Sequence, residues 1–176
     1  MRLLAIGVEW HRKGMDIAVR CADELRRRGR EVELDIVGIS PPGNEWQRDN
    51  VRYHGFVSKR DPTGAAVLDD LYRHADVFVF PTRDEPYGVV LAEAAAYSLP
   101  VVAPALNAIP EIVEDGVTGL LVPPADGPAA YADAIEGISG PRYEEMARRA
   151  RLAFGERLNW DSAVRSLADV LRSVVG

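Results

Sequence analysis

The stretch 76-DVFVFPTRDEPYGVVLAEAAAYSLPVVAP-104 contains a strand, a polar loop, a helix and a second strand in close succession. Its apolar runs at 76–80 and 100–103 predict two buried β-strands, and the segment from about Tyr87 to Tyr97 predicts the helix that joins them. Two parallel strands require a crossover connection of this kind. The stretch therefore indicates an α/β fold with a parallel sheet.

The same alternation of apolar strands and amphipathic helices continues on both sides of this stretch. The further strands are expected at residues 2–8, 31–38, 51–56 and 118–122. The further helices are expected at residues 14–29, 65–75 and 111–114, the last opened by Pro110. Buried strands that alternate with helices predict a Rossmann-like, doubly wound parallel sheet of about six strands with helices on both faces.

The C-terminal part, residues 128–176, is expected to form three helices that are separated at 139–141 and 155–159. Asn159 or Asp161 is the expected cap of the last helix. The buried stripe of that helix is expected to comprise Trp160, Ala163, Leu167, Val170 and Leu171.

The composition of the chain limits the classes of function. With 176 residues, 47% of them hydrophobic, we expect residues 1–176 to form one soluble domain. The net charge of −6 argues against a general nucleic-acid-binding protein, because attraction to phosphate needs a basic surface. No apolar run approaches the roughly 20 residues that a transmembrane helix requires.

The single cysteine and the three histidines favour structural roles. Cys21 falls on the apolar side of the helix at 14–29, so we expect a packed thiol, and a lone cysteine forms no internal disulfide. A chain without disulfides fits the reducing cytoplasm. His11, His54 and His74 have no metal-like spacing, and we expect no metal site.

Ligands of doubly wound sheets bind beyond the carboxyl ends of the strands. Three loops with unusual chemistry are expected there: 9-EWHRKG-14, 81-PTRDEPYG-88 and 104-PALNAIPE-111. In the first loop, Arg12 and Lys13 directly precede a helix, where cations are mildly unfavourable. A bound anion explains these cations better than the alternative, in which they are solvated at a helix start.

Glu85 and Glu93 stand eight positions apart around the start of the helix in the opening stretch. Because 88-GVVLAEAAA-96 is apolar on nearly every face, Glu93 is costly there unless it is paired or lies at a cleft. The alternative is that Glu93 reaches solvent at an edge. If the intervening chain were helical, the two side chains would be about 12 Å apart along the axis and roughly 80° around it. They could then bind two ends of one elongated ligand.

Backbone amides lie between the two glutamates. Gly88, Val89 and Val90 would present the unpaired N–H groups of a helix N-terminus, which bind phosphate oxygens. Two carboxylates can bind hydroxyl groups, and the amides between them can bind phosphate. Together they would form a site for a ligand in which a sugar, a diphosphate and a ribose follow one another in line. A hydrolase that uses Asp84 and Glu85 as paired carboxylates is disfavoured, because adjacent loop residues seldom converge on one bond.

The segments 80-FPTRDEPYGVVLAEAAAYSLPVVAP-104 and 109-IPEIVEDGVTGLLVPP-124 resemble the donor-binding half of family 4 retaining glycosyltransferases, which have the GT-B fold. The similarity extends to Lys13, Gly14 and 53-YHGFV-57 and covers almost the whole chain. It implies the C-terminal half of a GT-B fold. It also implies transfer of a glycosyl group from a nucleoside diphosphate sugar with retention at the anomeric carbon.

The resemblance implies roles for the charged residues. Glu85 matches the glutamate that binds hydroxyls of the transferred sugar, and Glu93 matches the glutamate that binds the ribose. Lys13 matches the lysine that neutralises the diphosphate as its bond to the sugar breaks, a role that needs no metal ion. Arg12 is the candidate replacement for an arginine that the family places at the position of Val8.

The resemblance also implies which residues hold the rest of the donor. Gly88, Val89 and Val90 match the amides that bind the sugar and the phosphates, and Phe56 and Val57 fall in the segment that lies against the base. We expect a uridine diphosphate sugar as the donor and no cofactor.

Two further places depart from the family pattern. Asn107 and Ala108 stand where a pair of glycines is usual, which alters the wall near the sugar. Ser98 stands where glycine is common, and we expect this to change only a helix end.

The acceptor-binding half of the GT-B fold would precede Met1 and is absent from this sequence. We therefore expect the chain to bind its donor weakly and to transfer nothing by itself. We expect it in the cytoplasm, with membrane association of a full-length protein left open. Two alternatives remain: half of another GT-B enzyme, such as a sugar-nucleotide epimerase, or a non-enzymatic module that binds nucleotide sugars.

Overall fold

The computed structural model describes residues 1–175, which form a six-stranded parallel sheet and seven α-helices. The strands are β1 (Arg2–Ile6), β2 (Glu33–Val37), β3 (Val51–Tyr53), β4 (Val77–Val79), β5 (Val101–Pro104) and β6 (Gly119–Val122). The helices are α1 (Met15–Arg27), α2 (Pro62–His74), α3 (Val89–Ala96), α4 (Ile109–Ile112), α5 (Pro128–Glu136), α6 (Pro141–Glu156) and α7 (Trp160–Val175). The predicted α/β class and the parallel sheet are confirmed.

The strands lie in the order β3-β2-β1-β4-β5-β6. From β1 the chain adds β2 and β3 on one side, and it then adds β4, β5 and β6 on the other side. The chain order therefore reverses between β1 and β4, and these neighbouring strands lead to helices on opposite faces of the sheet. Open α/β sheets bind ligands at such a switch point.

Helices cover both faces of the sheet, as predicted. On one face, Leu3 of β1 packs in a buried cluster with Leu25 of α1 and Tyr131 of α5. On the other face, Phe78 of β4 packs in a second cluster that includes Leu91 of α3 and residues of α2 and α4. The two clusters hold the central strands rigidly, so the loops that follow β1 and β4 start from fixed positions.

Three helices begin at other residues than the apolar pattern predicts. Helix α2 begins at Pro62 because the Asp61 carboxylate accepts a hydrogen bond from the Gly64 amide at 2.9 Å and caps the helix. Helix α3 begins only at Val89, since Gly88 has a left-handed φ of 92°. Helix α4 begins at Ile109, one residue before the predicted opening at Pro110, and the proline lies in its first turn.

The prediction of a buried stripe on α7 is wrong. Asn159 does cap this helix, because its Oδ1 accepts a hydrogen bond from the Ser162 amide at 2.9 Å. The described residues anchor α7 through this first turn but leave its apolar side uncovered, so that Leu171 is 56% exposed and Trp160 is 83% exposed. The residues of the predicted stripe that are exposed instead are Trp160, Ala163, Leu167, Val170 and Leu171.

The structure also bears on the expectations about Cys21 and about transmembrane helices. Cys21 is fully buried in the first cluster, and this burial raises the pKa of its thiol to about 12, so the predicted packed thiol is confirmed. Within residues 1–175, no helix combines the length and the apolar composition that crossing a bilayer requires.

Candidate functional site

The loops that follow β1 and β4 are joined to each other at the switch point. The backbone amide of Arg83 donates to the carbonyl oxygen of Arg12 at 2.8 Å, and the Thr82 hydroxyl lies 3.0 Å from the same oxygen. Gly14 has a φ of 68°, and a side chain there would clash with the Pro81 carbonyl oxygen. Only glycine allows this close approach, so Gly14 lets the two loops form one surface.

Lys13 and Glu85 meet on that surface. The Lys13 ammonium group bonds the Glu85 carboxylate, and their side chains are only 11% and 12% exposed. The ammonium group also lies 5.3 Å from the centre of the Phe80 ring, which attracts a cation. Gly7 has no side chain that would collide with the stem of Lys13. A largely buried cation is thus held at the carboxyl edge of the two central strands, with one carboxylate as its partner.

Arg12 lies next to this pair but faces a different partner. Its guanidinium group donates to Oε1 of Glu9 at 2.6 and 2.8 Å and to the carbonyl oxygen of Asp84 at 3.1 Å. The hydrogen bond from Arg12 holds the pKa of the Glu9 carboxyl below its usual range. Arg12 therefore lies at the rim of the site with its charge paired to Glu9. Val8, at the position of the usual arginine, exposes 56% of its surface.

The N-terminus of α3 follows directly after Glu85. Gly88 is the residue that precedes the helix, and no side chain caps it. Within residues 1–175, no hydrogen bond is made by the backbone amide of Val89 or of Val90. The structure thus brings the three predicted amide positions beside the Lys13–Glu85 pair. The Gly88 amide likewise makes no hydrogen bond within the described residues, so all three positions carry free donors.

Glu93 lies on the second turn of α3, and its carboxylate has two partners. The Tyr72 hydroxyl donates to Oε2 at 2.9 Å, and the Lys59 ammonium group bonds Oε1. The side chain is 26% exposed, so the carboxylate reaches the surface at an edge. Because the helix begins only at Val89, Glu85 lies outside it, and the 12 Å spacing of a continuous helix does not apply.

Phe56 and Val57 lie in the loop between β3 and α2. Phe56 is 77% exposed, whereas Val57 packs partly against the second core cluster. An exposed aromatic ring beside an anchored apolar residue offers a surface for a flat ring. The structure brings this pair to the loop that also carries Lys59, and Lys59 contacts Glu93.

Two residues of the site, Tyr72 and Lys59, were not predicted from the sequence, and a third, Asn107, was predicted only as part of the wall near the sugar. Tyr72 belongs to the apolar stripe of α2, and nothing in that pattern distinguishes a hydroxyl that bonds a carboxylate from an ordinary core aromatic residue. Lys59 is one of several charged residues in its loop. Asn107 carried a signal, because it stands in place of a glycine: it has a left-handed φ of 49°, and its amide lies 3.3 Å from both Asp84 Oδ1 and the Glu85 carbonyl oxygen.

The site contains no arrangement of metal ligands in the described part of the chain, since no group of three or more His, Cys, Asp or Glu residues there is placed to hold an ion. His54 instead bonds Asp35 through Nε2 at 2.7 Å, and His74 is the last residue of α2.

The doubly wound sheet and the charged loops at its switch point define an α/β domain of the Rossmann-like GT-B class. The sequence profile described as "Glycosyl transferases group 1" matches residues 1–140. This chain therefore belongs to the group 1 glycosyltransferase family.

Two curated relatives illustrate the range of the family. "D-inositol 3-phosphate glycosyltransferase" of Xylanimonas cellulosilytica is 40% identical over 172 residues, which are 90% of this chain and 39% of the relative. "Alpha-D-kanosaminyltransferase" of Streptomyces kanamyceticus is 30% identical over 172 residues, which are 92% of this chain and 43% of the relative. The chain thus spans less than half the length of either relative.

Solved structures have the same fold. "Sucrose-phosphate synthase" from Thermosynechococcus elongatus matches 99% of this chain with a TM-score of 0.78 and 27% identity, over 45% of its own length. The Anabaena protein HepE in complex with UDP-glucose matches 98% of this chain with a TM-score of 0.78, over 48% of its own length. Because HepE is only 21% identical to this chain, its similarity shows a shared fold and nothing further.

Proposed function

We propose that this chain is the donor-binding half of a family 4 retaining glycosyltransferase, which transfers a glycosyl group from a nucleoside diphosphate sugar. One observation carries the proposal: the Lys13–Glu85 pair lies at the switch point next to the free amides of Val89 and Val90. A cation and helix N-terminal amides bind phosphate, and a carboxylate binds sugar hydroxyls. Membership of the glycosyltransferase family supports the same assignment.

The diphosphate would bind to Lys13 and to the amides of Val89 and Val90. Its oxygens compete with Glu85 for the ammonium group, so donor binding frees the Glu85 carboxylate to accept hydrogen bonds from hydroxyls of the sugar. Gly88 leaves room for the sugar and the adjacent phosphate. This exchange of partners keeps a largely buried cation paired both with and without the donor.

The nucleoside would extend along α3. Glu93 accepts hydrogen bonds from the ribose, and the base lies against Phe56 and Val57. A uridine donor is supported by two proteins of the same fold, which were solved with UDP-glucose and with UDP and GlcNAc. These contacts arrange sugar, diphosphate, ribose and base in line.

In the proposed reaction, the bond between the anomeric carbon and the phosphate oxygen breaks, and its electron pair goes to the phosphate. Lys13, with Arg12 at the rim, stabilises that developing negative charge. The chain's own cations supply this charge, so we propose a mechanism that needs neither a metal ion nor a cofactor. The oxygen of the acceptor hydroxyl then bonds to the anomeric carbon with retention of its configuration, and the hydroxyl proton passes to the departing diphosphate oxygen.

The acceptor would bind elsewhere. Residues 1–176 form one donor domain in this proposal, including the helices of 128–176, and an N-terminal acceptor domain completes the enzyme. The coverage of 39% and 45% of two longer proteins supports a two-part architecture. We propose that the whole enzyme acts in the cytoplasm, where the lone Cys21 stays reduced.

The test is a calorimetric titration of the chain with UDP-, GDP- and ADP-sugars, repeated with Glu93→Ala. We expect weak binding of the uridine donor and a loss of about tenfold or more in the variant, because hydrogen bonds to a charged group contribute about 1.5–3 kcal/mol. Glu31→Ala, at the opposite end of the sheet, is the control and should change nothing. Absence of nucleotide binding, or an unchanged affinity in Glu93→Ala, contradicts the assignment.

A further inference from the structure

The Glu93 carboxylate accepts a hydrogen bond from Tyr72, a buried residue that has no role in the proposed reaction. Tyr72 lies on α2 and is 3% exposed, and its hydroxyl donates to Oε2 of Glu93 at 2.9 Å. Burial raises the pKa of this hydroxyl above its usual range, and the neighbouring Glu93 carboxylate raises it further. The hydroxyl therefore keeps its proton and remains a donor to the carboxylate.

The ring of Tyr72 cannot easily move. It stacks on Tyr97 with the ring centres 4.9 Å apart and an interplanar angle of 8°, and on Phe78 at 6.0 Å. Stacked rings of this kind pack in one orientation. The direction of the hydroxyl is thus fixed by Phe78 of β4 and by Tyr97, which directly follows α3, the helix that carries Glu93.

The other carboxylate oxygen of Glu93 faces a different environment. Oε1 is bonded by the ammonium group of Lys59, whose side chain is 56% exposed in the loop that joins β3 to α2. An ion pair with an exposed lysine is weak because water screens it, so hydroxyl groups of a ligand can compete for the same carboxylate oxygen. One oxygen is therefore fixed by a buried donor, and the other is held by a partner that a ligand can displace.

We propose that Tyr72 is a positioning residue, which fixes the Glu93 carboxylate so that Oε1 is presented to the ribose hydroxyls of the donor. Lys59 occupies Oε1 until the nucleotide displaces it. This inference rests on the proposed function, in which Glu93 binds the ribose. It adds the residue that sets the geometry of that contact and the residue that competes with it.

The experiment compares two ligands that differ only in the groups that Glu93 would bind. The intact chain is titrated with UDP and with 2′,3′-dideoxy-UDP, as wild type and as Tyr72→Phe. Phenylalanine keeps the stacking and removes only the hydroxyl. We expect UDP to bind about tenfold more weakly to Tyr72→Phe and the dideoxy ligand to bind equally well to both proteins, because only UDP uses the positioned carboxylate.

Tyr97→Phe is a matched control. Tyr97 stacks on the same ring, but its hydroxyl donates to Asp69 Oδ1 at 2.9 Å rather than to Glu93. We expect Tyr97→Phe to leave the affinity for both ligands unchanged. Equal losses for UDP and dideoxy-UDP in Tyr72→Phe, or no loss for UDP, overturn the positioning role.

A second variant tests Lys59 and does not depend on the folding of Tyr72→Phe. Lys59→Met removes the competitor, so the ratio of UDP to dideoxy-UDP affinity should rise about twofold. Lys59→Met also weakens the general attraction of the protein for anionic ligands. This loss does not change the ratio, because UDP and dideoxy-UDP carry the same diphosphate and are affected equally. An unchanged or lower ratio overturns the role of Lys59 as the displaced partner.

Glu93→Gln separates this inference from the proposed function. If wild type prefers UDP and Glu93→Gln removes that preference while Tyr72→Phe does not, only the positioning role fails. If wild type binds both ligands equally, the ribose assignment of Glu93 fails, and the role of Tyr72 fails with it. In Glu93→Gln, the further change Tyr72→Phe should lower the UDP affinity by less than about twofold, because the positioned carboxylate is already gone.

Discussion

Lys13 and Glu85 neutralise each other at the bottom of the site, and any ligand must work against that pairing. Both side chains are close to 90% buried, so neither charge can be left alone without a large cost of desolvation. In the proposed function, an anionic diphosphate replaces Glu85 as the partner of Lys13, and sugar hydroxyl groups then bond the carboxylate. Without such a ligand, each of the two buried charges is compensated by the other.

Removal of the cation alone should reveal this dependence. We expect Lys13→Met to lower the free energy of unfolding by about 3 kcal/mol, because Glu85 is left as a largely buried, unpaired charge. The double variant Lys13→Met/Glu85→Gln should recover part of that loss. Urea denaturation measures both changes.

The chain contains a matched control for this prediction. Lys59 and Glu93 form a second Lys–Glu pair, but Lys59 is 56% exposed. Lys59→Met should therefore change the free energy of unfolding by less than about 1 kcal/mol. Equal effects of Lys13→Met and Lys59→Met would show that burial does not decide the strength of these pairs.

Ser98 is a residue in a backbone conformation that its side chain disfavours. It follows α3 with a φ of 59°, where the β-carbon costs about 1–2 kcal/mol. Glycine avoids that cost, but it loses more conformational entropy on folding, which destabilises the folded state by about 0.5–1 kcal/mol. We expect Ser98→Gly to stabilise the chain by about 0.5–1 kcal/mol in urea denaturation. Ser98→Ala keeps the β-carbon and should have little effect, and a similar gain from both variants would contradict the explanation.

At the scale of elements, the sequence predicts the strands and helices well because their patterns are local. Apolar runs such as 76–80 become buried strands, and the helix at 14–29 has its apolar side on the first core cluster. The starts of helices depend on single contacts that periodicity does not contain. Asp61 caps α2 and moves its first residue to Pro62, which the pattern of apolar residues could not indicate.

The candidate site, like the helices, could be predicted only in part from the sequence. The meeting of the loops that carry Lys13 and Glu85 could be predicted, because the loops after neighbouring strands of a parallel sheet lie at one edge. Tyr72 and Lys59 could not be assigned, because their contact with Glu93 depends on how α2 and its loop pack beside α3. Residues that act through another residue leave no motif of their own.

Helix α7 shows what an amphipathic pattern can establish. The pattern correctly identifies one apolar side, but whether that side is buried depends on a partner, and the described residues supply none for it. Large exposed apolar patches are uncommon on isolated soluble domains. The energetic consequence is that the apolar residues of α7 contribute little to the stability of this chain.

We therefore expect Leu167→Gln to change the free energy of unfolding by less than about 0.5 kcal/mol, because Leu167 is already 59% exposed. Leu25 of α1 is the control, since it is fully buried and Leu25→Ala should cost about 2–5 kcal/mol. Thermal unfolding measured by circular dichroism compares the two. A loss in Leu167→Gln as large as that in Leu25→Ala would mean that α7 is packed in solution.

At the scale of the whole molecule, the site depends on the topology of the sheet. The reversal between β1 and β4 places a cationic loop and an acidic loop side by side, and each continues into a helix on a different face. Donor contacts in the proposed function therefore come from one edge of one sheet. Apart from Asn107 and Ala108, which stand at the wall near the sugar, every residue assigned to sugar, diphosphate, ribose or base lies within residues 1–93. No described residue has been assigned to an acceptor.

This division leads to a prediction about activity. We expect the 176-residue chain to bind a uridine diphosphate sugar but to form no transfer product with any acceptor, because an acceptor hydroxyl must be held beside the anomeric carbon for the bond to form. The measurement is transfer of a radiolabelled sugar from a panel of UDP-sugars, with binding of each donor measured by calorimetry on the same sample. The full-length Xylanimonas cellulosilytica relative, of which this chain spans 39%, is the positive control. Binding without transfer supports a donor half that needs a second domain, and robust transfer by the chain alone would show that the acceptor site lies within these residues.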